Sequence, residues 1–150
     1  MRRCSGCKQE KNFDEFYLRT DGRQYGNYSS RCKSCVKAEA AESNRRNPES
    51  QMIRAAKHRA KKNWLSFDLD DYRMEIRQRL STGVCEMTGL PFCADGPRNW
   101  DSPSIDRINP EKGYVYGNIR LIVWALNSAF GHWGEDKFAI VARAWLERKE

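Results

Sequence analysis

Two short apolar runs and a helix-compatible stretch stand close together between Ser104 and Asn127. Ser104 to Ile108 has the length and β-branched content of a strand. Asn109-Pro110 opens a loop that Gly113 helps to close, and Val115 to Val123 returns as a second apolar run ahead of helix-compatible residues. Upstream, Tyr72, Ile76 and Leu80 recur at four-residue spacing, which predicts a helix capped by Asp68 or Asp70 and ended by Ser81-Thr82-Gly83. A last helix is expected after Gly134, with Phe138, Val141, Ala142, Trp145 and Leu146 packed on the helix that carries Asn127. Residues 36–46, rich in Ala and Glu, predict a further helix. Asn47-Pro48-Glu49 then reads as N-cap, first position and first turn of another that runs to about Lys62.

That second helix has only a thin apolar stripe, Met52, Ile53, Ala55, Ala56 and Ala60, beside Arg54, Lys57, His58, Arg59, Lys61 and Lys62. It is expected to bury little and to offer much to phosphates. Trp64 to Leu69 reads as an apolar lead-in to the domain that follows, with an extended segment at 66–68. Four of the five tryptophans, Trp100, Trp124, Trp133 and Trp145, stand from residue 100 onward, which points to the main core there.

Charge changes the picture. Residues 1–62 hold 16 Lys/Arg against 7 Asp/Glu, a balance of +9, whereas residues 63–150 hold 11 against 13, a balance of −2. A basic arm beside a near-neutral domain is the footprint of nucleic-acid binding, because affinity for a polyanion comes largely from counterion release. Arg45, Arg46, Arg54, Lys57, Arg59, Lys61 and Lys62 are the candidate DNA contacts. The alternative is a merely soluble charged helix. No apolar run approaches the ~20 residues that span a bilayer, and cysteines follow the basic N-terminus in place of a signal-peptide segment. The expectation is a cytosolic protein without a membrane partner.

Cysteines carry a second signal. Cys4 and Cys7 are separated by two residues, as are Cys32 and Cys35, and 24 residues lie between the pairs. Two such knuckles put four thiolates around one tetrahedral ion, so one structural Zn²⁺ is expected, with Gly22 and Gly26 in a hairpin and Phe13, Phe16 and Tyr17 as a small apolar cap. Disulfides are the alternative. A closed four-sulfur site stabilises or positions but does not catalyse.

The polar residues of the first stretch, SIDRINPEKGYVYGNIRLIVWALN, complete the reading. Asp106 ends the first strand, Asn118 stands ahead of the second run, and Asn127 follows nine residues later on the helix. This spacing resembles the ββα-metal (HNH) endonucleases, and its wording resembles a subgroup familiar among phage proteins. The resemblance implies an α+β fold: a zinc module at 1–40, a basic helical linker at 41–63 and an HNH-like ββα-metal domain with flanking helices at 64–150. It implies a metal-dependent DNA endonuclease or nickase, placed in a bacterial host cell if phage-encoded. Asp106 and Asn127 would hold a catalytic Mg²⁺ or Mn²⁺, and Asn118 would fix the loop. Arg107 stands where the family has the His that activates water. Arg stays protonated and cannot be that base, but it can bind phosphate and stabilise developing charge. His132 lies one residue past the place where some toxin-type members carry a further His, which is Gly131 here. Many members also hold a structural zinc with two further Cys pairs. The corresponding places here are Cys85, Thr88, Val123 and Leu126, so apolar packing by Val123, Leu126 and Trp124 is expected instead, with Cys85 and Cys93 as ordinary thiols. The alternatives are a DNA-binding protein that has lost efficient cleavage, or, at the bland end, an Asp106 paired with Arg107 or Arg120 and an Asn118 that is only a turn residue.

Overall fold

The computed structural model, which describes residues 1–19, 28–93, 98–131 and 133–149, is α+β, with short antiparallel strand pairs and five α-helices among the described residues. It divides into two units, Met1–Arg46 and Asn47–Glu150.

In the first unit, β1 (Arg2–Arg3) pairs with β2 (Glu10–Lys11), and β3 (Phe16–Leu18) with β4 (Tyr28–Cys32). The first pair brackets the Cys4–Cys7 knuckle. Helix α1 (Lys33–Arg46) starts inside the second knuckle and buries no residue. Among the described residues its core is Cys4, Cys32 and Phe16, with Tyr28 and Cys35 partly covered. Phe13 and Tyr17, expected in the apolar cap, are exposed, and Phe13 only leans on the Tyr28 ring. So small a core cannot offset the entropy of ordering its own chain without a cross-link of some kind. Gly22 and Gly26 lie outside the described residues.

The second unit is built around β5 (Pro103–Arg107) and β6 (Ile119–Val123), whose register pairs Ser104 with Ile122, Ile105 with Leu121 and Asp106 with Arg120. Side chains alternate across this hairpin. Ile105, Ile119 and Leu121 face α2 (Pro48–Lys62) and α3 (Arg73–Leu80), where Ile53, Ala56, Ala60, Leu69, Ile76 and Tyr114 complete the core. Ile122, on the other face, and Val123, at the end of β6, pack with Cys85 and Phe130, and with Leu126 at the edge. Covered on both sides, β6 reads as the continuous run Ile-Arg-Leu-Ile-Val. Helix α4 (Trp124–Phe130) follows directly, and α5 (Gly134–Glu147) docks on it by one T-shaped contact, Phe138 against Phe130 at 5.5 Å.

Several expectations change here. The helix expected as a linker places Ile53, Ala56 and Ala60 in the deepest part of the core, because alanines let α2 lie close to the hairpin; the division falls between Arg46 and Asn47. Neither Asp68 nor Asp70 caps α3. Asp68 accepts instead from the Tyr116 amide at 2.8 Å, and Asp70 pairs with Lys57. Asn47 precedes Pro48 as expected, but its side chain makes no cap bond. The tryptophans do not form the core: all five are exposed, and β-branched residues, Leu, Ala and Tyr114 fill the interior. Of the predicted apolar face of α5, only Phe138 and Ala142 are half-buried, while Val141, Trp145 and Leu146 are exposed. Gly113, at φ +78°, is required by a close approach, since a Cβ there would stand 2.5 Å from the Ser66 carbonyl oxygen. That contact lets the Tyr114 amide donate to Ser66 and brings residues 66–68 alongside the hairpin.

Candidate metal and nucleic-acid sites

The four N-terminal cysteines converge. The Sγ atoms of Cys4, Cys7, Cys32 and Cys35 all lie within 4.8 Å of one another, and Cys4 Sγ is 3.8 Å from Cys35 Sγ. A tetrahedron with metal–sulfur bonds of ~2.3 Å has edges of ~3.8 Å, so the set fits an ion such as zinc. Backbone amides are already aimed at the sulfurs, Cys32 N–H and Gly6 N–H donating to Cys4 Sγ at 3.2 and 3.3 Å. The Cys32 amide, opposed by burial and helped by those of Cys7 and Gly6, draws the Cys4 thiol down to about 6. The Ser34 hydroxyl lowers Cys32, whereas hydrogen bonding to Cys32 pushes Cys35 up to about 12. Such a set retains protons that a cation would displace. Gly6 keeps room for it, because a Cβ there would come within 3.0 Å of Cys35 Sγ.

The turn at 85–90 repeats the backbone of this knuckle without its ligands. Cys4 N–H donates to Gln9 and Lys8 N–H to Cys4, at 2.8 and 2.9 Å; Cys85 N–H donates to Leu90 and Gly89 N–H to Cys85, both at 2.8 Å. Lys8 and Gly89, in matching places, both have positive φ. Thr88 occupies the place of the second cysteine, and Val123 and Leu126 pack on Cys85 as expected. Trp124 does not join them.

At the hairpin, Asn118 is 5% exposed and closes the loop between the strands with three bonds. Its Oδ1 accepts from Asn109 N–H at 2.9 Å, and its Nδ2 donates to the Asn109 and Gly113 carbonyls at 2.8 Å each. It is far more than a turn residue. Asn127 donates through Nδ2 to Ser104 Oγ at 2.7 Å and to the Ile105 carbonyl at 3.1 Å. A carbonyl can only accept, so the amide nitrogen faces the strand and Oδ1 is turned away from that carbonyl.

Asp106 lies two residues beyond Ser104, on the same face of β5. Its Oδ2 accepts from Arg120 Nε at 2.8 Å, and Arg120 Nη1 reaches Glu135 at the start of α5, also at 2.8 Å. The Arg120 guanidinium sits 5.3 Å from the Phe130 ring centre. Burial lowers its pKa, but the two carboxylates outweigh that and raise it. Arg107 projects to the opposite side, where it donates to the Pro110 carbonyl and lies 5.0 Å from the centre of the Tyr114 ring. Arg59 reaches the same ring at 5.1 Å, donating to Tyr114 Oη at 2.7 Å and to the Ile105 carbonyl at 3.3 Å. The hairpin thus brings Asp106, Arg120 and the Asn127 helix together on one face and directs Arg107 to the other. Ser104, Arg120 and Glu135 were not among the expected site residues, since only the strand register shows which arginine meets Asp106. His132 lies outside the described residues.

The expected DNA contacts divide. Arg54, Lys61 and Lys62 are exposed on the side of α2 away from Ile53, Ala56 and Ala60, Lys57 pairs with Asp70, and Arg59 is a tether inside the fold. Arg45 and Arg46, in the first unit, pair with Glu42.

No family model matches the chain, and no curated protein matches it. Among solved structures it is similar to a rare-cutting HNH restriction endonuclease, PacI, at 18% identity over 99% of each chain, with a TM-score of 0.42. A likeness of that size carries no weight for mechanism. No described helix is long and apolar enough to cross a membrane.

Proposed function

We propose that the chain is a metal-dependent DNA endonuclease or nickase of the HNH type, in which a zinc-stapled first unit accompanies a ββα-metal second unit. The observation that supports this most is the joint placement of Asp106 and the Asn127 helix on one face of a strand–strand–helix unit whose loop Asn118 locks. Asp106 and Asn127 offer one anionic and one neutral oxygen, a hard donor pair that suits Mg²⁺ or Mn²⁺. A divalent ion held there supplies charge neutralisation at the scissile phosphate and acidifies bound water. The chain's own residues do the positioning. Ser104 and the Ile105 carbonyl orient the Asn127 amide, Arg120 fixes the rotamer of Asp106, and Asn118 holds the loop that follows β5. Arg107, directed to the other face beside Arg59 and Tyr114, lies outside that ion's site and is assigned to a flanking phosphate in place of the charge-stabilising role expected from the sequence.

The second reading, a DNA-binding protein without efficient cleavage, draws on the Arg120–Asp106 pair, since a guanidinium already occupies one carboxylate oxygen. A plasmid-nicking assay with Mg²⁺, Mn²⁺ and EDTA separates the two. The expected result is metal-dependent nicking that Asp106→Ala and Asn127→Ala each abolish while DNA affinity stays within about twofold. A protein that binds DNA but nicks with no divalent ion would establish the second reading.

A further inference from the structure

Trp64 is held in a conformation and an exposure that neither its backbone nor its packing explains. Helix α2 ends at Lys62, and the Leu65 amide reaches back to the Ala60 carbonyl at 3.0 Å, the closing bond of a Schellman turn. Trp64 occupies the left-handed position of that turn at φ +55°, a place that favours glycine and disfavours a bulky side chain. Its side chain is 96% exposed, more than any other large hydrophobic residue described. Leu65 turns inward against the core, so the strained residue is the one left in solvent.

We propose that Trp64 binds a nucleobase, stacking on a base of the nucleic acid whose phosphates the end of α2 engages. Exposed Lys61, Lys62 and Asn63 immediately precede it, and Lys57 and His58 lie one to two turns back. Its nearest acidic neighbours in the chain are already engaged, Asp68 by the Tyr116 amide and Asp70 by Lys57. An aromatic face beside cationic side chains is the recognition chemistry of single-stranded and locally opened nucleic acid. A membrane would need a broader apolar face, whereas the exposed side of α2 carries Arg54, Lys57, His58, Lys61 and Lys62. The ring is also preorganised. Arg59 ties this end of α2 to the Ile105 carbonyl in the strand that carries Asp106, and the Tyr114 amide holds Ser66 two residues on. The inference rests on the DNA partner of the proposed function but not on cleavage.

The test compares the full chain with Trp64→Gly and Trp64→Phe, using a single-stranded oligonucleotide and the matching duplex, each containing 2-aminopurine. Glycine suits the left-handed turn and no packing is lost, so Trp64→Gly should melt at a higher temperature than the wild type. It should nevertheless bind about five- to a hundredfold more weakly, the range expected for one base–aromatic stack. It should also lose the 2-aminopurine quenching that Trp64→Phe largely keeps. The arm that loses affinity identifies the source of the base: the single strand alone for an unpaired base, both arms for a step opened in the duplex. Unchanged affinity and quenching in Trp64→Gly would overturn the inference, and retained plasmid nicking would then leave the nuclease reading standing. Binding to anionic vesicles that Trp64→Gly abolishes, with DNA affinity unchanged, would replace the base with a membrane. A wild-type chain that binds neither oligonucleotide would overturn both this inference and the DNA reading.

Discussion

Glu86 shows how one side chain can hold three elements in register. It receives Arg79 through two parallel bonds at 2.8 and 2.7 Å and the Leu121 amide at 2.7 Å, while Arg79 also donates to the Ile119 carbonyl at 3.0 Å. This clamp fastens α3 and the 85–90 turn to β6, one residue from Arg120 and its contact with Asp106. Burial alone would raise the Glu86 pKa, but the Arg79 bonds, the Leu121 amide and the attraction of Arg79 outweigh it and hold it below the ordinary glutamate range. A carboxylate depressed in the folded state contributes stability above its unfolded pKa and loses it as pH falls through the folded one. Glu86→Gln should therefore cost about 1–3 kcal/mol at pH 7. The difference from wild type should shrink as pH falls through and below the ordinary glutamate range, measured by denaturant unfolding at each pH. The Asn118 and Asn127 positions were legible in the sequence because polar residues between apolar runs have few solvated places to go. The partner of Asp106 was not, since Arg107 is its neighbour in sequence while Arg120 lies 14 residues on, and only cross-strand register selects Arg120. Trp64 was legible only as the start of an apolar lead-in, since neither its left-handed φ nor its exposure leaves a mark in the sequence.

At the scale of elements, two turns with the same backbone bonds have different fates. Around Cys4 the turn is completed by a second cysteine and by the other knuckle; around Cys85 it is completed by Thr88, Val123 and Leu126. The first unit, whose core among the described residues is three side chains, calls for a cross-link, for which its four cysteines suit an ion such as zinc, and the second does not because its hairpin is covered on both faces. One zinc per chain is therefore expected by elemental analysis. Chelation should unfold residues 1–46 while the melting transition of 47–150 persists, and Cys32→Ser should release the metal where Cys85→Ser does not. A single melting transition lost entirely on chelation would contradict this. The cysteine spacing made the first site legible. The second unit's helix α2 was harder to place, because its buried stripe is mostly alanine and carries little hydrophobic signal, although alanine is what permits close packing.

Across the whole molecule, the excess positive charge lies on surfaces with different freedom to act. In the first unit Arg31 pairs with Glu39, and Arg45 and Arg46 share Glu42, which leaves less of that charge for a ligand than a count of basic residues suggests. In the second unit Arg59 is spent inside the fold and Lys57 is paired, whereas Arg54, Lys61 and Lys62 stand exposed on α2. If these three meet phosphates, each contact should add about −0.9 to the slope of log K against log[salt] on duplex DNA. Replacing all three by Gln should then flatten the slope by about 2.7 and weaken binding most at low salt. Arg59→Gln should behave otherwise. Removing its bonds to Tyr114 Oη and the Ile105 carbonyl loosens α2 from β5, so the protein should melt earlier while the salt slope stays near that of wild type. Isothermal binding at four or five salt concentrations, with a melting curve for each variant, distinguishes the two roles. A triple variant whose slope matches wild type would move the phosphate contacts away from α2, and with them the reason for expecting a base at Trp64.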